Sequence, residues 1–272
     1  GPRPRARHDR LVYRKRPAAT GLGPPDPPAP PDPPDPSAGG DGGGDADRRP
    51  VLAQWRDVAT TRGFLPFSVA MIGTYVLSYQ VYLALPLHAR TLAGDGNLGT
   101  ALVTALYVVS GGVTIAAQMK VTAWCRARWG PAGSLSRGLV VLGVAFVPLL
   151  AADGLLVALP DVSAVTATVL GVTALLSTAA LLAIGTAVVL PFEMDTIVGL
   201  ARNRLVATHY GFYNTIVGVG ILVGNLATGS LMQATRVLGQ PWLLWILLSA
   251  IGLASAAALY RLDRRGRLQP QQ

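Results

Sequence analysis

From residue 64 onward, long apolar runs alternate with short polar segments. Between residues 64 and 119 the only formally charged residues are Arg90 and Asp95. A soluble domain cannot leave such stretches uncharged, because its surface has to meet water. Six runs stand out, at 64–87, 98–119, 139–159, 165–192, 208–232 and 241–260. Each approaches or exceeds the ~20 residues that a helix needs to cross about 30 Å of hydrocarbon. Their β-branched residues do not argue for strands, since membrane strands are nearer ten residues and alternate in polarity. The fourth run is longer than a crossing needs and predicts a tilt or a kink. The expected fold is an all-α polytopic membrane protein whose six transmembrane helices form one bundle.

The first fifty residues have a different composition, with 13 of the 21 prolines and 8 of the 31 glycines. Such a segment cannot bury a core. The expected layout is a disordered, basic, Pro/Gly-rich segment over 1–62, a helical bundle over 63–260 and a basic tail over 261–272. Charge orients it. With both termini cytoplasmic, the inner segments carry 21 Lys and Arg, and the outer ones only Arg90 and Arg236. Leaving out the amino-terminal segment, the ratio is still 10 to 2. This is the positive-inside pattern. The net charge of +9 is then met by an anionic inner leaflet, and no nucleic-acid partner is needed. Arginine outnumbers lysine 21 to 2, a bias that fits GC-rich coding and a bacterial plasma membrane. One cysteine and three scattered histidines suggest neither a metal site nor a cofactor.

Polar side chains are costly against lipid, so polar stripes on spans should face protein or a water-filled cavity. In the second span Thr100, Thr104, Tyr107, Gly111, Thr114 and Gln118 recur at helical spacing. The first carries Tyr75 and Tyr79, with Gln80 beside them, and the fifth carries Asn214, Gly218 and Asn225. Small and hydroxyl residues also mediate helix contacts, so packing and cavity lining both remain open for each stripe. Gly220 and Gly224 form a GxxxG pair that, with Gly218, points to close helix packing. Glu193 and Asp195 are read as ending the fourth span at the inner surface, with Arg202 and Arg204 nearby. Surface ion pairs stabilise little, so gating suits this group better than stability. Asp153 lies near the outer end of the third span, and His209 at the boundary of the fifth.

Several short motifs then come together. Trp55-Arg56-Asp57-Val58-Ala59 and Arg62-Gly63-Phe64 precede the first span, which itself runs from Tyr75 through Gln80-Val81 to Leu85-Pro86. Ala127-Arg128-Trp129-Gly130 follows the second span, Pro191-Phe192-Glu193 ends the fourth, Gly211-Phe212 opens the fifth, and Gly229-Ser230-Leu231 ends the glycine run. On these residues the chain resembles the carboxyl-terminal half of a major facilitator superfamily transporter, within the drug:proton antiporter branch and its MdtH-like multidrug efflux proteins. Ala127 stands where the family's D-R-x-G loop core has Asp, which puts a charge-relay latch at that loop in doubt. The resemblance implies a twelve-span protein of two six-span bundles, with residues 1–50 in the loop between them and an amino-terminal half outside this sequence. It also implies that the first, second, fourth and fifth spans line the pathway or the interface between bundles.

The expected function is therefore that of a fragment of a secondary transporter, exporting small, largely apolar compounds by alternating access powered by protons. Tyr75, Tyr79, Gln80, Tyr107 and Asn214 would line the substrate pathway. Arg126, Arg128, Glu193, Asp195, Arg202 and Arg204 would act at the cytoplasmic gate. The expected partners are membrane lipids, a small-molecule substrate and the other bundle. The alternative is a six-span scaffold or assembly subunit whose basic tail, residues 3–16, binds lipid or a partner. An enzyme is not expected, because no converging catalytic groups are visible.

Overall fold

A computed structural model describes residues 50–94, 96–202 and 205–266. The proline-rich segment, the basic tail 3–16, Arg204 and residues 267–272 of the carboxyl-terminal tail lie outside the described residues. Every regular element among those described is helical.

The first element corrects the expected layout. Val51–Thr60, counted with the disordered segment, is a helix. Its inner face docks on the fifth span. Val58 is buried, the Trp55 ring meets Phe212 edge-on at 5.4 Å, and the Thr208 hydroxyl donates to Gln54 Oε1 at 3.1 Å. The Thr60 hydroxyl donates back to the Arg56 and Asp57 carbonyls at the helix end. Gly63, at φ 87°, then turns the chain into the bundle, a left-handed conformation that favours glycine.

Six helices long and apolar enough to cross a membrane follow: Phe64–Ala93, Asn97–Gln118, Lys120–Ala158, Ala164–Ala201, Val206–Val237 and Trp242–Arg264. They are called the first to sixth spans below, and the chain is a multi-pass membrane protein. Contacts show their directions. Gly220 and Gly224 abut Ile72 and Val76 in the same order, so the first and fifth spans run parallel. Tyr75 meets Glu193 and Ser78 meets Thr186, so the first and fourth run oppositely. The first and fourth spans are the most buried, while the second and fifth present most of their surface outward.

Three departures from uniform helix matter for the site. The first span breaks after Ser78 into a 3-10 turn, Tyr79–Val81, and restarts at Ala84–Ala93. The Gln80 side chain mends the break by donating to the Val76 carbonyl at 2.6 Å, and the Pro86 ring limits backbone bonding in the restarted turn. After the second span the helix continues through the segment read as a loop and reverses at Gly130, φ 68° and ψ 178°, just before Pro131. The Ser134 hydroxyl reaches back to the Cys125 carbonyl at 3.1 Å.

The fourth span holds the third departure. It runs on to Ala201 rather than ending at Phe192, and no break in the helix accompanies its length. Pro191 removes the amide that would bond the Ala187 carbonyl, and the Thr122 hydroxyl approaches that carbonyl at 3.5 Å.

Candidate functional site

The fourth helix does not end at Glu193, as its sequence position suggested, but continues past it to Ala201. The Glu193 side chain is buried. The Tyr75 hydroxyl, from the first span, donates to Glu193 Oε1 at 2.6 Å. Tyr213, from the fifth span, is also buried, its ring 6.5 Å from that of Tyr75 and its hydroxyl facing the same carboxyl. Glu193 Oε2 and the Tyr213 hydroxyl have no hydrogen-bond partner among the described residues. A carboxyl oxygen and a phenol hydroxyl thus face each other inside the bundle. Tyr75 lies eleven residues from the Phe64 end of its helix, about 17 Å along it.

One turn further along the first span the side chains turn outward. Tyr79 and Tyr82 are exposed and meet edge-on at 5.9 Å, and Tyr82 stacks on the exposed Tyr107 of the second span at 6.0 Å. The three rings form a ladder on the outside of the bundle. The second-span stripe continues it, with Thr100, Thr104, Gly111 and Gln118 exposed. Asn214 and Gly218 on the fifth span are likewise exposed. A polar face of this kind calls for water or protein rather than lipid. Gln80 is fully buried and serves the helix break instead of this face.

Of the remaining sequence-chosen residues, Arg126, Asp195, Arg128 and Arg202 lie toward the end of the bundle where the fourth span finishes. Arg126 Nη2 contacts Asp195 Oδ2 at 2.7 Å, tying the helix that continues past the second span, before the reversal at Gly130, to the fourth, and both groups are exposed. The Arg126 guanidinium also lies 5.4 Å from the Phe192 ring centre. Arg128 is exposed. Arg202, at φ 49°, ends the fourth span in a left-handed turn. Gly220 and Gly224 face the first span of this same bundle, where a Cβ on either would press into Ile72 or Val76, rather than an opposing bundle. Nothing lies near a Cβ built on Gly218. His209 packs edge-on against Phe64 at 5.0 Å, its Nδ1 3.0 Å from the Leu205 carbonyl. Asp153 Oδ2 is buried without a partner among the described residues, and the same holds for Trp245 Nε1 in the core beside it. No cluster of acids, histidines or cysteines among the described residues could hold a metal ion.

Reading the sequence alone missed Tyr213 altogether and misplaced Glu193. The signals were present: an acid two residues after a proline inside an apolar run, and a tyrosine on the fifth span among glycines.

Curated proteins resemble the chain over most of its described length. It is 42% identical over 219 residues to an uncharacterized MFS-type transporter of Mycobacterium tuberculosis, covering 80% of this chain and 50% of that one. The chain is a relative of the major facilitator superfamily transporters. It is also 26% identical over 223 residues to the multidrug resistance protein MdtH of Sodalis glossinidius, covering 82% of this chain and 50% of that protein. With the MdtH of Klebsiella pneumoniae it shares 25% identity over 213 residues, 78% of this chain and 48% of the other. The chain spans about half the length of the curated relatives it matches. No family model matches it, and no solved structure does.

Proposed function

We propose that the chain is the carboxyl-terminal half of a proton-coupled exporter of small, largely apolar compounds, working by alternating access. The observation that carries this reading is the buried Glu193 carboxyl, held by Tyr75 and faced by Tyr213. Intramembrane acids mark proton relays in transporters. Here Oε1 is occupied by the Tyr75 donor, so Oε2 is the atom that carries the proton, with the Tyr213 hydroxyl as its acceptor. The carboxyl exchanges that proton with water only when the pathway opens onto it.

The substrate contacts the ladder Tyr79, Tyr82 and Tyr107, together with Asn214, where aromatic faces suit apolar and cationic compounds. The break at Tyr79–Val81 lies one turn from Tyr75 and lets a change at Glu193 reach that ladder. The missing amino-terminal bundle closes the other side of the pathway, near the membrane midplane. Arg126 and Asp195, with Arg128 and Arg202, act at the cytoplasmic gate. Both termini face the cytoplasm, so a reporter active only outside should work at Asp161 and stay silent at Gln269.

Everted vesicles holding the complete protein test the coupling. Glu193→Gln should accumulate normally and lose pH-gradient-driven dye export at least about a hundredfold, in line with loss of an essential proton carrier. Undiminished export that still follows the pH gradient would sink the reading.

A further inference from the structure

Two apolar grooves on the bundle surface join at Val69. The first, of about 520 Å³, lies between the first and sixth spans, walled by Leu65, Ala258 and Leu262, with Arg261 and Arg265 along it. The second, of about 700 Å³, continues over the first span between the fifth and sixth and reaches Ile251, Leu247 and the Gly220–Gly224 face. Together they make a trough that starts at a basic end and runs on between hydrocarbon walls.

The trough is long enough for an acyl chain. From Arg261 to Leu244 is seventeen residues of helix, about 26 Å. The charges fit too. Arg261 and Arg265 are one helical turn apart, exposed, and line the groove with their stems. Arg264 is turned onto the Tyr260 ring at 4.9 Å, so the pair beside the groove is set apart from it. Guanidinium forks match phosphate geometry. We propose that the trough binds an anionic phospholipid, with an acyl chain along the first and sixth spans and its phosphate on Arg261 and Arg265. The basic pair at one end favours a lipid over an apolar helix of a partner, because such a helix brings no phosphate to Arg261 and Arg265.

Native mass spectrometry of the complete protein, titrated with phosphatidylglycerol or phosphatidylcholine, tests this. Phosphatidylglycerol should be retained in preference. The double variant Arg261→Ala/Arg265→Ala should weaken its binding roughly thirtyfold, at about 1 kcal/mol for each arginine near the surface. Arg261→Lys/Arg265→Lys should restore part of it and so show that the helix end is intact. Ile251→Trp fills the trough without touching a charge, and should weaken phosphatidylglycerol binding as well. Inorganic phosphate at the same concentration should not displace the lipid, because the chain supplies much of the contact. The proposal is overturned by equal retention of both lipids or by unchanged binding in the double alanine variant. It is also overturned if a cysteine at Ile251 crosslinks to the other half of the protein while no lipid is retained.

Discussion

Two helix seams run through this bundle and are built from opposite materials. The third and sixth spans meet at Gly143 and Gly252, where a Cβ on Gly252 would come within 2.5 Å of the Gly143 Cα. Backbone lies on backbone there, with no polar group between. The first and fourth spans meet through polar atoms instead: Ser78 with Thr186 at 2.8 Å, and Tyr75 with Glu193 at 2.6 Å. A close-packed glycine seam has a single arrangement, because any shift opens a void or makes a clash. A hydrogen-bonded seam has several, because donors and acceptors can exchange partners. The contrast assigns rigidity to the third and sixth spans and movement to the first and fourth, where the helix break and the buried acid also lie.

The sharpest way to break this comparison is to disturb the rigid seam. Gly252→Leu places a side chain against backbone that cannot turn aside, and overpacking of this kind costs about 3 kcal/mol or more. The complete protein should then fail to accumulate in the membrane, as read by immunoblot of membrane fractions. Normal accumulation with impaired transport would move the hinge to the third and sixth spans and invert the assignment.

The polar seam should respond differently. Tyr75→Phe keeps the ring and removes the donor to Glu193. Leaving a buried acceptor unpaired costs about 1–3 kcal/mol, enough for a roughly tenfold to hundredfold fall in turnover with accumulation intact. Vesicle transport measured alongside protein level checks it. Loss of protein in step with loss of transport would make the seam merely structural.

How much of this could be read beforehand depended on the range of the interaction. The spans were legible because an apolar run is a local property of the sequence. Their ends were less so: Glu193 was taken for a boundary because hydropathy registers a charge and not its partner, and that partner, Tyr75, is 118 residues away. Tyr213 escaped notice because its role depends on the same distant carboxyl. The helix Val51–Thr60 escaped because it is too polar to read as a span, and its order comes from Trp55 and Val58 docking on the fifth span. The tyrosines of the first and second spans were legible as a polar stripe. That Gln80 turns inward to close a helix break was not, since the break shows in the backbone and not in the pattern.

Gly224 tests the flank of the moving seam. A Cβ there would press on Val76, the residue next to Tyr75. Gly224→Leu should therefore displace the first span, at about 1–3 kcal/mol, and slow transport about tenfold while the protein still inserts. Val76→Ala in the same chain should recover much of that loss, because it removes the methyl groups that clash. Failure of the second change to help would mean that Gly224 acts on some other surface.

The smallest effect is expected on the ladder. Tyr79 is exposed and touches Tyr82 edge-on, so little folding energy rests on it. If the ladder holds substrate, Tyr79→Ala removes an aromatic face worth about 0.5–2 kcal/mol to a bound cation or ring, a change of several-fold in affinity. The loss should vary between compounds, strongest for cationic and aromatic ones, and Tyr79→Phe should retain most of the binding. Protein level and the dependence of export on the pH gradient should not change, since Glu193, Tyr75 and Tyr213 are untouched. That pattern would separate a ladder that selects what is carried from a seam that drives the carrying. A uniform fall for every compound, matched by a fall in protein, would instead give Tyr79 to packing and leave the exposed face of the first and second spans without a substrate role.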